Sequence, residues 1–294
     1  FFVISGFFFR SSLKLGFKDF LYKKSVQLLL PCIVWALVFY IIGFLTAIVE
    51  GNEHFFSNWT EDLKQILFPA RWVWFLKELF LSYFIVYVFL KLLKKKWLAC
   101  MLSMAAVLVL PFCEMQRTYL PMFWAGVYLK DNYQFILRYA KQTLIISGII
   151  FAICLFFWEG NYTVYITGFP KLIKIRELTL NPTNINISAF RLLIGLCGSL
   201  FWFMLFERIF RNNIFFSCLA KAGVNTLAIY LLQRLILEDW MNRTIDFPNM
   251  NHWIYSLLVT PLISLVIIVI SYLLIKIVQK NKYAEMLLFG KQRY

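Results

Sequence analysis

The chain has 294 residues, of which 61% are hydrophobic, 19% aromatic and only 15% charged, and its mean hydropathy is +0.71. These values exclude a soluble single domain, because no globular core of this size hides so much apolar side chain. They predict an all-α fold, a polytopic bundle of membrane helices.

The charge balance is strongly basic, with 30 Lys and Arg against 15 Asp and Glu and a formal net charge of +15. In a soluble protein this favours a nucleic-acid partner, but here the basic residues cluster at the ends of apolar runs, as membrane topology requires. We therefore expect membrane lipid as a partner and no nucleic acid. The six cysteines show no CxxC pattern, which is typical of small core residues rather than of a metal site or disulfides.

Nine apolar runs are predicted to cross the membrane. The first, 1–9, is too short, because a helix needs about 20 residues to span the hydrocarbon. We expect it to be the end of a helix whose start is missing, with one more helix before it and about ten in the full protein. The other runs are 28–49, 72–93, 97–112, 119–129, 142–158, 192–206, 215–237 and 253–278.

A count of basic residues tests the short run 119–129. If all nine runs cross, 20 basic residues collect on one side of the membrane and 8 on the other, while 10 of the 15 acidic residues lie on the less basic side. Basic residues concentrate on the cytoplasmic side. Without a crossing at 119–129 every later loop would change sides. We therefore predict that this run crosses, that the first run leads from outside to cytoplasm, and that the C-terminus is cytoplasmic.

Two charges, Lys77 and Glu78, lie early in the run 72–93. Charges inside a membrane are costly and usually face the bundle interior, so the pair is a candidate site. The alternative is that Lys77 extends towards the headgroups while Glu78 caps a neighbouring helix, and the residues alone leave both readings open.

A basic arm lies between the first two runs. The arm is suited to bind an anionic donor, for example through the phosphate groups of coenzyme A. A simpler explanation of the arm is attraction to anionic lipid. Lys23 and Lys24 lie close to the start of the next run. The arm consists of Arg10, Lys14, Lys18, Lys23 and Lys24.

Polar side chains also occur in the run 215–237. They need partners inside the bundle, and helix–helix hydrogen bonding is a sufficient reason for them. The set is Asn225, Thr226, Tyr230, Gln233 and Arg234.

The two histidines, His54 and His252, are isolated in predicted external segments. Neither has a second histidine, a cysteine or a well-spaced carboxylate around it, so no metal site is expected. No glycine-rich phosphate loop and no serine nucleophile elbow occurs.

Four segments, in this order, resemble signatures of the acyltransferase-3 family. The first is FFVISGF at 1–7, followed by Lys23-Lys24, LLLP at 28–31 and Trp35. The others are WFLKEL at 74–79, PMFWAG at 121–126 and LAKAGVNTLAIYLLQ at 219–233. The resemblance extends along the whole chain and implies a single acyltransferase-like membrane domain, 1–294, truncated at its N-terminus.

Members of that family move an acyl group, often acetyl, from a cytoplasmic donor to a hydroxyl of a cell-surface polysaccharide or lipid-linked sugar. The resemblance implies acyl-CoA as donor substrate, a glycan acceptor and no bound cofactor. The family's general base is a His preceded by an Arg in the first helix, so the catalytic residues are expected upstream of Phe1 and are not assigned in this chain. The family pattern has an Arg at the position of Gln27 and often a His at that of Gln233.

The leading interpretation is a multi-pass O-acyltransferase of the inner or plasma membrane. We predict that Arg10, Lys23 and Lys24 bind the donor. The predicted lining of the reaction chamber is Trp74, Lys77, Glu78, Tyr230 and Gln233. The alternative is a non-catalytic relative that exports a polysaccharide or its precursor, and an upstream membrane helix lacking the family His would favour it.

Overall fold

A computed structural model of the chain describes residues 1–50, 73–110, 113, 115–163, 173–174, 179–180, 182–209, 223, 225–236 and 258–291. These residues are almost entirely helical, which confirms the all-α prediction. The exception is one antiparallel pair of two-residue strands, β1 (Ile173–Lys174) and β2 (Thr179–Leu180), with Ile173 opposite Leu180.

The first helices are α1 (Phe2–Phe7), α2 (Arg10–Leu13), α3 (Phe17–Lys24) and, after a π-helical segment at Ser25–Leu29, α4 (Leu30–Glu50). They are followed by α5 (Trp74–Leu92), α6 (Lys96–Val109), α7 (Gln116–Asp131), α8 (Tyr133–Arg138) and α9 (Ala140–Phe156). The last are α10 (Pro182–Ile209), α11 (Thr226–Arg234), α12 (Thr260–Val278) and α13 (Lys282–Phe289).

Each of the nine predicted runs overlaps one of these helices within its described part. Among the residues that the structure describes, three helical stretches are long and apolar enough to cross a membrane, by length and composition: Phe17–Val49, Asn184–Arg208 and Thr260–Val278. Lys96–Val109 and Ala140–Phe156 are shorter apolar helices. Helix α10 begins ten residues before the predicted start at 192. The prediction followed hydropathy and so excluded the polar residues before Arg191, whereas proline at a first helical position allows the helix to begin at Pro182.

The chain packs as two compact units. Unit 1 contains Phe1–Leu21 and Glu78–Asn213, and unit 2 contains Tyr22–Lys77 and Ile214–Tyr294. The boundary falls within α3 and within α5.

In unit 1, α1 and α7 pack with their backbones in close contact. A Cβ atom on Gly6 would collide with the carbonyl oxygen of Phe123, and one on Gly126 would collide with that of Val3. Near the start of both helices the rings of Phe2 and Tyr119 stack at 4.5 Å. The packing continues to the other end of α1, so the two helices run parallel, in agreement with the direction that the charge count predicts for both.

Helices α9 and α10 of unit 1 interlock through two Gly-x-x-Phe segments. A Cβ on Gly148 would lie 2.9 Å from the ring of Phe201, and one on Gly198 would lie 2.9 Å from the ring of Phe151. Each phenylalanine therefore occupies the space that the opposite glycine leaves. This pairing requires the helices to be antiparallel.

Unit 2 is closed by its C-terminal helix, α13, which packs on α4. The indole nitrogen of Trp35 donates a hydrogen bond to the carbonyl oxygen of Leu288 at 2.8 Å. Asn281 caps the start of α13, and Gly290 ends it with φ of 66°, a conformation that favours glycine. Gly290 also lies against the backbone of Gln27.

Candidate functional site

A basic cavity lies at the end of unit 1 where α1 and α7 terminate. Its volume is about 210 Å³, and its charged lining consists of Arg10, Lys96, Lys130 and Asp131. Because α1 and α7 run parallel, their C-terminal ends meet, and the basic residues that follow apolar runs are brought together. Three cations and one carboxylate leave the cavity positively charged.

Aromatic rings and one ion pair position these cations. Lys96 forms an ion pair with Asp131, and its Nζ lies 4.8 Å from the centre of the Tyr128 ring. The Nζ of Lys130 lies 4.5 Å from the centre of the Phe7 ring. Arg10 is exposed at the mouth. A cavity of this size has room for a phosphate group but not for a whole nucleotide, since sites for drug-sized ligands measure about 300–1,000 Å³.

Glu78 belongs to a second polar cluster of unit 1. The side-chain nitrogen of Gln116 donates to the Glu78 carboxylate at 2.8 Å and to its carbonyl oxygen at 2.6 Å. The Ser82 hydroxyl donates to the Gln116 side chain at 2.8 Å. All three residues are at most 3% exposed. Gln116 is the first residue of α7, so its side chain joins Glu78 to the start of a neighbouring helix.

In unit 2 the predicted donor-binding lysines differ in exposure. Lys23 is exposed, whereas Lys24 is 6% exposed and donates to the side-chain oxygen of Gln27 at 3.0 Å. Gln27 therefore occupies the position of the family's Arg as a hydrogen-bond acceptor for the neighbouring lysine.

The start of α5 and helix α11 meet in unit 2. The ring of Phe75, between Trp74 and Lys77, lies 5.4 Å from that of Tyr230. Trp74, Lys77 and Tyr230 are half-buried, whereas Gln233 is exposed. The structure thus brings Tyr230 to the first turn of α5 and directs Gln233 outward.

The end of unit 2 that holds Lys24 also contains the C-terminus of α13. Asn225 accepts hydrogen bonds from Gln279 at 3.4 Å and from Lys291 at 2.5 Å. Lys291 directly follows Gly290, which contacts Gln27. The charge count assigns all of these positions to the cytoplasmic side.

Sequence reasoning missed Lys96, Lys130 and Gln116 as site residues. In the sequence the two lysines are recognisable only as charges that set the membrane topology, and Gln116 lies in a short polar segment between two apolar runs. Packing between helices places Lys96 and Lys130 in one cavity with Arg10, and Gln116 beside Glu78. His54, His252 and Trp72 lie outside the described residues. Within the described ranges no group of three His, Cys, Asp or Glu residues is arranged to hold a metal ion.

Comparison with protein families gives one assignment. The acyltransferase-3 family model, which describes an acyltransferase domain, matches residues 1–276. The match includes every candidate residue discussed above except Gln279 and those from α13 onwards. Comparisons with curated proteins and with solved structures found no match. Because the family model matches more than nine-tenths of the chain, this protein belongs to the acyltransferase-3 family of membrane acyltransferases.

Proposed function

We propose that the protein is an O-acyltransferase of the cell envelope. It would transfer an acyl group, in the simplest case acetyl, from cytoplasmic acyl-CoA to a hydroxyl of a cell-surface polysaccharide or lipid-linked glycan. The family assignment supports acyl transfer in general. The donor, the acceptor and O-acetylation are the parts that belong to the proposal.

The observation that carries the proposal is the basic cavity of unit 1. Transfer from acyl-CoA requires cations for the phosphate groups of the donor, and these must face the cytoplasm. Arg10, Lys96 and Lys130 line one cavity, and the charge count puts the three on the cytoplasmic side. We assign the donor's phosphate groups to this cavity. That Lys23 and Lys24 of unit 2 bind the donor is a separate prediction.

The membrane arrangement follows from the same charges. The protein would be a multi-pass component of the inner or plasma membrane, with its C-terminus in the cytoplasm. The parallel course of α1 and α7 and the contact of Lys291 with Asn225 support that sidedness. In unit 2 the chamber would be lined by Trp74, Lys77 and Tyr230. We assign no catalytic base.

The test is donor binding by the full-length purified protein, measured by calorimetry with acetyl-CoA. The double variant Arg10→Gln and Lys130→Gln removes two cavity cations and keeps the ion pair of Lys96 with Asp131. Loss of hydrogen bonds to charged groups costs about 1.5–3 kcal/mol each, so affinity should fall at least about tenfold. A second double variant, Lys23→Ala and Lys24→Ala, should weaken donor binding much more than acceptor binding.

The matched control is Lys94→Gln with Lys95→Gln, two exposed lysines that do not line the cavity. Its donor affinity should equal that of the unmodified protein. An unchanged dissociation constant in both test variants would exclude the assigned donor site. Absence of any acetyl-CoA binding by the unmodified protein would favour the exporter alternative.

A further inference from the structure

Unit 1 contains a long apolar groove between α9 and α10, distinct from the basic cavity described above. The groove has a volume of about 820 Å³. Aromatic and aliphatic side chains form its walls, and Gly195, Gly198 and Ser199 of α10 also line it. The wall residues include Ile4, Phe151, Leu155, Trp202 and Phe206.

A second cavity, of about 490 Å³, adjoins one end of this groove and is basic. The two share Glu207 as a lining residue. The charged lining of the second cavity is Arg138, Lys141, Arg208 and Glu207, which is three cations against one carboxylate. All three cations are exposed. The apolar groove therefore ends at a positively charged pocket.

The groove runs along much of the apolar length of α10. Ile194 and Glu207, the first and last residues of α10 that line the groove, are 13 residues apart, or about 20 Å. This length exceeds half the hydrocarbon thickness of a bilayer, about 15 Å, so an acyl chain of one leaflet can lie along it. The charge count places Arg138, Lys141 and Arg208 on the cytoplasmic side, where anionic lipid attracts basic residues by about 1 kcal/mol each.

We propose that this surface binds one anionic phospholipid of the cytoplasmic leaflet. An acyl chain lies in the groove between α9 and α10, and the phosphate group lies among Arg138, Lys141 and Arg208. Charge complementarity favours an anionic lipid over a zwitterionic one, and the apolar groove favours a lipid over a free phosphate. The site does not depend on the acyl donor, because it uses other residues and another cavity.

The experiment is native mass spectrometry of the full chain in detergent, titrated with dioleoylphosphatidylglycerol or dioleoylphosphatidylcholine. The unmodified protein should retain phosphatidylglycerol preferentially. The triple variant Arg138→Gln, Lys141→Gln and Arg208→Gln should lose at least about tenfold in affinity for it. Each single variant is measured as well, so that the proposal stays testable if the triple variant does not fold.

Two further measurements separate the contributions of the lipid's acyl chains and its headgroup. Ser199→Phe fills the groove and should weaken retention of both lipids. Glycerol 3-phosphate, which has the phosphate without the chains, should not displace bound phosphatidylglycerol. The control triple variant Lys94→Gln, Lys95→Gln and Lys280→Gln carries the same change in net charge and should bind as the unmodified protein does.

Three results would overturn the proposal. They are equal retention of the two lipids by the unmodified protein, an equal loss of affinity in the control triple variant, and unchanged retention in Ser199→Phe. Displacement by glycerol 3-phosphate would instead identify a free-phosphate site. The readout is lipid retention rather than acyl transfer, so its outcome is independent of the proposed activity.

Discussion

The side chain of Gln116 donates hydrogen bonds to both the carboxylate and the carbonyl oxygen of Glu78, at 2.8 and 2.6 Å, in the interior of unit 1. This contact joins α5 to the first residue of α7. A carboxylate inside a membrane bundle needs such donors, because an unsatisfied buried charge is strongly destabilising. Glu78 therefore has a structural role whatever its part in the chamber.

We predict that Gln116→Leu lowers the free energy of unfolding by about 1–3 kcal/mol, because it removes two buried hydrogen bonds to Glu78. The measurement is thermal unfolding of the purified protein in detergent. Gln142→Leu is the matched control, since Gln142 is an exposed glutamine. Equal melting temperatures for the two variants would contradict the structural role of the contact.

A companion variant, Glu78→Gln, separates structure from chemistry. It keeps the size of the side chain and its ability to accept a hydrogen bond from Gln116. If Glu78 acts in the chamber, the rate of acyl transfer should fall while the melting temperature changes little. If the role of Glu78 is only structural, the rate of acyl transfer should fall only when the melting temperature also falls.

We predict that Gly126→Ala forces α1 and α7 apart. The new Cβ would collide with the carbonyl oxygen of Val3 and lie 2.8 Å from the backbone nitrogen of Phe7. Backbone atoms cannot move aside as a flexible side chain does, so we expect a loss of about 1–3 kcal/mol, as for overpacked cores. Gly6→Ala should act in the same way through Phe123.

The control is Gly16→Ala, whose Cβ would only touch the side chain of Asp19 at 3.5 Å. Thermal unfolding of the three variants in one detergent gives the comparison. A melting temperature for Gly126→Ala as high as that of Gly16→Ala would show that the two helices are not in backbone contact.

We predict that Gly290→Ala releases the C-terminal helix α13 from α4. An alanine at φ of 66° is strained by about 1–2 kcal/mol, and its Cβ would also collide with the backbone of Gln27. Limited proteolysis should therefore cut the chain near α13 faster than in the unmodified protein. The hydrogen bond from Trp35 to Leu288 would be lost with the helix.

Gly223→Ala is the control for this experiment, because its Cβ would lie 4.0 Å from the side chain of Thr226. Its proteolysis should be as slow as that of the unmodified protein. Equally slow cleavage of Gly290→Ala would mean that α13 tolerates a side chain at this position.

The fold class and the helices of the nine apolar runs follow from the sequence alone, because a long apolar run in a membrane is stable as a helix. The charge count predicts the directions of α1 and α7, and the parallel packing through Gly6 and Gly126 agrees with it. The family is also recognisable from four short segments. The short amphipathic helices α3 and α13 were not predicted, since their helical form depends on packing as much as on hydropathy.

The neighbours of each charged side chain were decided only by the tertiary structure. In the hydropathy pattern, Lys96 and Lys130 are only charges that set the membrane topology. Nothing along the chain indicates that they line one cavity with Arg10. In the same way, the buried contact of Gln116 with Glu78 joins residues 38 positions apart. The physical reason is that membrane topology depends on the amount of charge in each loop, whereas a binding site depends on which helix ends meet, and that is determined by side-chain packing between helices distant in sequence.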